Sequence, residues 1–164
     1  MIKLLILDVD GTLTQGGIVY TANGDEIKTF DVKDGLAISS WIRLGNEVAI
    51  VTGRDSSIVE RRAKELGVRH IHQGVKDKYS LLLGLCEDLD IGFENVAAMG
   101  DDLNDLKMLE SVGQSFVPSD ATKYLLDKVK HVTVAKGGQG AAREMIEILL
   151  SMNNQMDDFI KLWQ

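Results

Sequence analysis

The chain has 164 residues, of which 45% are hydrophobic and 26% are charged, and its formal net charge is −7 at pH 7. This length fits one domain with one hydrophobic core, and the negative charge argues against nonspecific nucleic-acid binding, which needs lysine and arginine to neutralise phosphates. No stretch approaches the ~20 apolar residues of a membrane span, so we expect no membrane partner.

Short apolar runs alternate with segments of helical periodicity along most of the chain. After a first strand over residues 2–7, β-forming residues flank Asn23-Gly24, a pair that tolerates the positive φ angles of a type I′ turn. A hairpin is therefore predicted over about residues 17–33. The alternation predicts an α/β, Rossmann-like doubly wound parallel sheet with helices on both faces, as a single domain over residues 1–164. The later strands are predicted over residues 47–52, 70–72, 96–99, 115–117 and 131–134.

Helical periodicity fills the segments between these strands, and Gly45, Gly67 and Gly113 stand where helices are expected to end. The polar tail ends in an apolar cluster over residues 159–163, which predicts a short terminal helix packed on the core or, alternatively, a subunit contact. Cys86 is the only cysteine and is expected to be a buried helical residue. With too short an apolar run before Asp8 for a secretory signal, we expect a cytoplasmic protein.

Four of the predicted strands are followed by side chains that can take part in catalysis or ligand binding. Ligands of doubly wound sheets bind beyond the carboxyl ends of the strands. Asp8 and Asp10 follow the first, Thr52-Gly53-Arg54 the second, Lys78 lies shortly after the third, and Gly100–Asp105 follows the fourth. Each has an ordinary structural explanation when taken alone, such as a helix cap, a turn or a solvated lysine. Their conjunction at one rim predicts an active site.

The segment Asp8-Val9-Asp10-Gly11-Thr12-Leu13-Thr14 resembles the first motif of the haloacid-dehalogenase superfamily, and Thr52, Lys78 and Gly100–Asp105 match the remaining motifs in order. Four further segments are similar to the capless sugar-acid phosphatases, whose best-known members hydrolyse 3-deoxy-D-manno-octulosonate 8-phosphate on the route to lipopolysaccharide. Close relatives hydrolyse 9-phosphates of sialic-type acids, and both substrates stay open here. The four segments are Phe30–Gly35, Thr52–Arg54, Gln73–Lys78 and Gly137–Glu144.

This sequence departs from the usual pattern of that group at three positions. Thr12 stands where valine is common, Gln15 where aspartate is frequent, and Gln139 where the octulosonate enzymes often have arginine. These differences bear on the substrate and leave the motifs of the reaction intact.

The resemblance implies a magnesium-dependent phosphatase in which Asp8 is the nucleophile that forms an aspartyl phosphate. Asp10 would be the general acid and base, while Thr52 and Lys78 would hold the transferring phosphoryl oxygens.

The implied Mg²⁺ ligands are Asp8, Asp101 and the Asp10 carbonyl, with Asp102 and Asp105 in or near the coordination sphere. For the substrate, Gly53 and Asn104 would border the pocket, with Asn104 mainly bracing the acidic loop. Arg54 is the candidate partner of a substrate carboxylate, and an ion pair with Asp55 or Glu60 is the alternative.

No cap domain is predicted, because only the hairpin intervenes between the first two motifs. The resemblance implies that neighbouring subunits complete the pocket, with hairpins packing in a homotetramer. The Gly137–Gly140 segment is either a mobile loop near a neighbour's site or a simple turn before the last long helix.

A regulatory receiver domain also combines acids, magnesium, threonine and lysine on a parallel sheet, and it is the alternative from another functional class. Its acid pair is adjacent on the first strand, whereas Asp8 and Asp10 are separated by one residue. The loop Gly100–Asp105 would also be additional. A dehalogenase of the same superfamily would not need Asp10, which favours phosphate chemistry.

Overall fold

The computed structural model describes residues 1–164, in which eight strands and six α-helices alternate as the sequence predicts. The strands are β1 (Leu4–Leu7), β2 (Val19–Tyr20), β3 (Glu26–Ile27), β4 (Glu47–Val51), β5 (His70–His72), β6 (Val96–Met99), β7 (Gln114–Val117) and β8 (His131–Val132). The α-helices are α1 (Val32–Arg43), α2 (Ser57–Glu65), α3 (Lys78–Leu89), α4 (Leu106–Ser111), α5 (Ala141–Met152) and α6 (Met156–Lys161).

Six strands form one parallel sheet in the order β5-β4-β1-β6-β7-β8, and helices cover both of its faces. Side chains alternate between faces along a strand, so Leu5 and Leu7 pack towards α1, α2, α5 and α6, while Leu4 and Ile6 pack towards α3 and α4. Every residue of β1 is therefore buried. The doubly wound fold without a cap domain is confirmed, and none of its helices is long and apolar enough to cross a membrane.

The helix ends follow local capping chemistry. The Asp31 carboxylate accepts the N–H groups of Lys33 and Asp34 at the start of α1, and Asp77 caps α3 in the same way. Gly45 and Gly67 end α1 and α2 with φ of +85° and +82°. Helix α4 ends at Ser111, just before Gly113, as predicted, but the φ of Gly113 is not positive. A Cβ there would lie 2.3 Å from the Glu94 carbonyl oxygen, so this glycine permits a close backbone approach.

The hairpin after β1 is confirmed, but the predicted type I′ turn is wrong. Val19 pairs with Ile27 and Tyr20 with Glu26, which leaves a five-residue loop. Within it, the Gly24 N–H donates to the Thr21 carbonyl at 3.0 Å, and only Gly24, not Asn23, has a positive φ. A type I′ turn needs positive φ at both central residues, whereas a longer loop needs it only at Gly24.

Two apolar positions differ from expectation. Strand β8 ends at Val132 instead of residue 134, because the N–H groups of Val134 and Ala135 turn to the Glu144 carboxylate, each at 2.9 Å. Phe30, which lies within the predicted hairpin range 17–33 and would be exposed if it followed the hairpin, packs against the core under the Arg62 guanidinium. The terminal helix α6 docks through buried Phe159, as predicted.

Candidate active site

An open cleft of about 290 Å³ lies beyond the carboxyl ends of β1, β4 and β6. Strand β1 lies between the other two in the sheet, so the residues that follow the three strands meet there. The sequence predicted nine site residues after these three strands. Eight of them line the cleft, Asp105 does not, and Gly16 lines it in addition. Its lining consists of Asp8, Asp10, Gly16, Thr52, Gly53, Arg54, Asp101, Asp102 and Asn104.

Three carboxylates converge at the floor of this cleft. Asp8, Asp101 and Asp105 each offer one oxygen, and these oxygens lie within 4.8 Å of one another. The Lys78 ammonium group bridges two of the acids, at 2.6 Å from Asp8 Oδ1 and 2.5 Å from Asp105 Oδ1. Lys78 and Asp105 are buried below the cleft surface, so Lys78 stabilises the acid cluster from underneath.

One lysine cannot neutralise three carboxylates, so the cluster lacks positive charge. The pKa values of its members are shifted accordingly. Burial, followed by the charge of Asp105, raises the pKa of Asp8, although Lys78 works in the opposite direction. Burial and the charges of Asp8 and Asp105 also raise the pKa of Asp101. For Lys78, burial alone would lower the pKa, but Asp8 and Asp105 raise it. Clustered carboxylate oxygens with a deficit of positive charge fit a hard divalent cation such as Mg²⁺.

The loop after β1 is held by its own backbone. The Val9 carbonyl accepts from the N–H groups of Thr12, Leu13 and Thr14 at 3.1, 2.8 and 3.1 Å. Asp101 packs directly on this loop, because a Cβ at Gly11 would lie 2.1 Å from Asp101 Oδ2. Gly11 also has φ of +91°, a conformation that disfavours side chains. The glycine of the first motif is thus required by both backbone and packing.

Thr12 is fully buried in this loop and its hydroxyl has no hydrogen-bond partner. A valine at this position would lose no hydrogen bond to the protein, which is compatible with the valine that is common here in the group that this sequence resembles.

Three hairpin residues that the sequence did not single out for the site, Tyr20, Glu26 and Lys28, contact side chains that line the cleft. The Lys28 ammonium group contacts Asp10 Oδ1 at 2.5 Å and Glu26 Oε1 at 3.1 Å, and its side chain is only 2% exposed. Arg54 Nη2 lies 3.1 Å from the Tyr20 hydroxyl and 3.4 Å from Glu26 Oε1. Glu26 and Lys28 are two residues apart, so an extended backbone turns both side chains to one face, but nothing in the sequence shows that this face turns towards Asp10.

The predicted substrate residues take different positions around the cleft. Thr52 is buried at its wall, and Arg54 is half-exposed with Nε 3.9 Å from Asp10 Oδ2. The alternative ion pair of Arg54 with Asp55 or Glu60 is not formed, because Arg54 pairs with Asp10 and Glu26 instead. Gly53 and Asn104 also line the cleft.

Asp102 stands apart from the acid cluster, although it was expected in or near the coordination sphere. Its carboxylate accepts the Leu103 N–H at 2.7 Å and caps the turn that follows. The buried Asp105 carboxylate completes the capping box and accepts the Asp101 N–H at 3.0 Å. Side-chain geometry therefore favours Asp105 over Asp102 as the acid that supports a metal.

Comparison with known proteins is consistent with this geometry. Residues 69–145 match the family model described as haloacid dehalogenase-like hydrolase. The 3-deoxy-D-manno-octulosonate 8-phosphate phosphatase KdsC of Escherichia coli (strain K12) is 43% identical over 157 residues, which is 96% of this chain and 84% of that protein.

Solved structures agree. The same enzyme from Moraxella catarrhalis, in complex with a magnesium ion, a phosphate ion and a KDO molecule, is similar with a TM-score of 0.96 and 42% identity, covering 99% of this chain and 94% of that one. The cobalt-bound phosphatase of Haemophilus influenzae has a TM-score of 0.90 and 39% identity, with 94% and 91% covered.

Proposed function

Because this chain belongs to the haloacid dehalogenase-like hydrolases, within the family of 3-deoxy-D-manno-octulosonate 8-phosphate phosphatases, we propose that it is a magnesium-dependent phosphatase of a sugar-acid phosphate. The proposed substrate is 3-deoxy-D-manno-octulosonate 8-phosphate. The observation that carries the proposal is the cluster of Asp8, Asp101 and Asp105 within 4.8 Å, with Asp10 at the same strand end. Membership in an enzyme family speaks against the receiver-domain alternative.

Asp8 is the proposed nucleophile. One of its carboxylate oxygens attacks phosphorus, the bond from phosphorus to the sugar oxygen breaks, and an aspartyl phosphate forms. Water then attacks the phosphorus of this intermediate and releases inorganic phosphate with regeneration of the Asp8 carboxylate. The position of Asp8 at the floor of the cleft, fixed by Lys78 at 2.6 Å, supports this role.

Asp10 is the proposed general acid and base. It donates a proton to the departing sugar oxygen and later takes a proton from the attacking water. Its location on the same loop as Asp8, facing the cleft, supports this assignment. Lys28 and Arg54 lie on either side of its carboxylate and hold it in the cleft.

Asp8, Asp101 and the Asp10 carbonyl would hold Mg²⁺, with Asp105 supporting them. When bound, the ion supplies positive charge that offsets the repulsion between an anionic nucleophile and the phosphate dianion. Thr52 at the cleft wall would donate its hydroxyl to a phosphoryl oxygen, while Lys78 contributes by positioning Asp8 from below.

Substrate recognition is proposed to depend on Arg54. Its guanidinium group borders the cleft, is half-exposed and can bind a carboxylate through two parallel hydrogen bonds. Gly53 and Asn104 line the cleft and would border the sugar, with Asn104 mainly bracing the acidic loop. A nine-carbon sialic-type acid phosphate is the second candidate substrate, because it also carries a carboxylate.

We further propose a homotetramer in the cytoplasm, in which hairpins pack together and close the open cleft. The exposed apolar side chains of Val19 and Ile27, which are paired across the hairpin, support this assembly, and Ile18 and Tyr20 add exposed apolar surface to the same hairpin.

The function is tested by measuring phosphate release from 3-deoxy-D-manno-octulosonate 8-phosphate and from a nine-carbon sugar-acid 9-phosphate, with Mg²⁺ or with a chelator. We expect Mg²⁺-dependent turnover, higher with the eight-carbon substrate. The Arg54→Lys variant keeps the charge but loses the bidentate geometry, so it should raise KM for sugar acids more than for a phosphate ester without a carboxylate. Preference for the nine-carbon substrate would reassign the specificity, and no release from any ester would refute the function.

A further inference from the structure

The turn Gly137–Gly140 packs on the loop that carries Asp8 and Asp10 of its own chain. The Gly138 N–H donates to the Thr12 carbonyl at 2.9 Å, and the Gly137 N–H donates to Asp120 Oδ1 at 3.0 Å. The sequence left this segment open between a mobile loop and a simple turn. These contacts tie it to the catalytic loop within one chain.

Neither glycine has room for a side chain. A Cβ at Gly137 would lie 1.8 Å from the Gly11 carbonyl oxygen, and a Cβ at Gly138 would lie 2.5 Å from the Thr14 carbonyl carbon. Both clashes are with backbone atoms, which cannot move aside as the end of a flexible side chain can. Gly138 also has φ of +65°. The two backbones therefore touch directly along residues 11–14.

The turn itself is fixed at its far end. The Arg143 N–H in the first turn of α5 donates to Asp34 Oδ1 at 2.7 Å, and Asp34 is only 2% exposed. Glu144 accepts two further backbone N–H groups from residues 134 and 135. The turn is thus anchored to α1 and to the end of β8, so it can act as a rigid support.

We propose that Gly137 and Gly138 are positioning residues, which set the location of the loop Val9–Thr14 and so aim Asp8 and Asp10 at the phosphate. The inference rests on the proposed function, because it assigns Asp8 and Asp10 to the reaction. It follows from the geometry that any side chain at either glycine pushes the loop outward. A displacement of about 1 Å at reacting groups costs about 10²-fold in rate.

Two matched pairs of alanine variants separate positioning from general destabilisation. Gly137→Ala is paired with Gly84→Ala, since neither glycine has positive φ and only Gly137 is crowded. Gly138→Ala is paired with Gly45→Ala, since both have positive φ and Gly45 has nothing within 4 Å. We expect both loop variants to lower kcat about 10- to 100-fold with little change in KM, at a temperature where each is folded. The control variants should keep wild-type kcat, although Gly45→Ala loses thermal stability.

Two variants of Asp120, which perturb the turn less, test the same inference if a loop variant fails to fold. Asp120→Ala removes the acceptor of the Gly137 N–H without adding bulk, whereas Asp120→Asn keeps an oxygen acceptor. We expect a lower kcat in the first and rescue in the second. Equal kcat in all these variants would overturn the inference. So would a loss of kcat that is proportional to the loss of thermal stability in loop and control variants alike.

Amide hydrogen exchange distinguishes failure of the proposed function from failure of this inference, because it needs no substrate. Exchange of the N–H groups of residues 12–14 should be faster in Gly137→Ala than in Gly84→Ala. Unchanged exchange there contradicts the positioning role whatever the enzyme hydrolyses, and accelerated exchange in a chain without phosphatase activity refutes only the assigned reaction.

Discussion

At the scale of single residues, two conditions on Asp8 oppose each other. Asp8 must be ionised to attack phosphorus, yet it lies in a buried cluster of like charges, which disfavours ionisation. Lys78 reconciles them by contacting both Asp8 and Asp105. Breaking such a buried arrangement by removing the lysine leaves two uncompensated carboxylates, which costs about 3–5 kcal/mol in comparable cases. Removing one carboxylate is milder, because Asp105 still pairs with Lys78.

Asp8→Asn should therefore remain folded while losing turnover by more than about 10³-fold, because an amide cannot form an acyl phosphate. Phosphate release and circular dichroism together measure this outcome. Retention of a tenth of wild-type activity would contradict the covalent mechanism.

Lys28 contacts Asp10 from the hairpin, and its loss should affect proton transfer to the leaving group. In Lys28→Met the Asp10 carboxylate loses its hydrogen-bond donor and can leave its position, so we expect kcat for the sugar-acid phosphate to fall about 10-fold or more. A nitrophenyl phosphate, whose leaving group needs little protonation, should be affected less. Lys28→Arg is the matched control that keeps a donor, and equal losses on both substrates would contradict the positioning of Asp10.

Asp34 lies outside the acid cluster and is buried with one unpartnered oxygen, Oδ2. Burial raises the pKa of Asp34 to about 6, and Asp31 adds to the rise while the Arg143 N–H opposes it. The unfolded value is about 3.9, so the folded chain binds this proton more tightly. The contribution of Asp34 to stability is therefore full below about pH 4 and is lost as pH rises through about 6.

Asp34→Asn removes this titration while keeping an oxygen for the Arg143 N–H. Relative to wild type, the free energy of unfolding of the variant should rise by up to about 3 kcal/mol between pH 4 and pH 7. Urea unfolding at several pH values measures the difference, and Asp88→Asn at an exposed helix position is the control. A difference that does not vary with pH would contradict the assignment.

At the scale of elements, the hairpin has two distinct faces. Tyr20 and Glu26 are directly paired and turn towards Arg54, whereas Val19 and Ile27 are paired on the opposite face and are each 49% exposed. Side chains of neighbouring residues alternate across a strand. The hairpin can therefore contribute to the cleft with one face and to an assembly with the other.

The double variant Val19→Lys, Ile27→Lys should reduce the molar mass in light scattering from a tetramer to a smaller species, because four subunits would bring like charges together. KM for the sugar acid should rise, while hydrolysis of a small phosphate ester should survive better. Val132→Lys, Val134→Lys adds the same charge at exposed positions outside the hairpin and should leave the mass unchanged. A wild-type monomer with full sugar-acid activity would contradict this assembly.

At the scale of the whole molecule, the acid cluster links metal binding to folding. A ligand that binds only the folded state stabilises it by about 2.7 kcal/mol at a concentration of 100 Kd. Mg²⁺ should accordingly raise the melting temperature of the wild-type chain, because it removes the repulsion among Asp8, Asp101 and Asp105. Asp101→Asn loses a ligand and should show a much smaller rise, whereas Asp102→Asn should respond like wild type.

Calorimetry or dye-based melting with and without Mg²⁺ measures these shifts, and chelation should abolish phosphate release. Equal shifts in the wild-type, Asp101→Asn and Asp102→Asn proteins would show that the ion binds elsewhere.

Much of this molecule could be predicted from the sequence because the relevant signals are local. Alternating apolar runs predict the strands, and Gly45 and Gly67 mark helix ends through their positive φ. The motif residues at Asp8, Asp10, Thr52 and Asp101 follow buried strands, and carboxyl ends of parallel strands necessarily share one rim. Fold and cleft were thus determined by periodicity and by position relative to strand ends.

Other features depend on contacts between residues far apart in the chain, and only the tertiary structure decided them. Lys28 meets Asp10 because the hairpin folds back over the cleft, and Lys78 sinks beneath Asp8 instead of lining the pocket. Whether Asp102 or Asp105 supports a metal depends on which carboxylate turns inward. The role of Gly137 depends on its contact with the backbone of Gly11, more than a hundred residues earlier in the chain. Side-chain direction and backbone approach are set by three-dimensional packing, which sequence spacing does not encode.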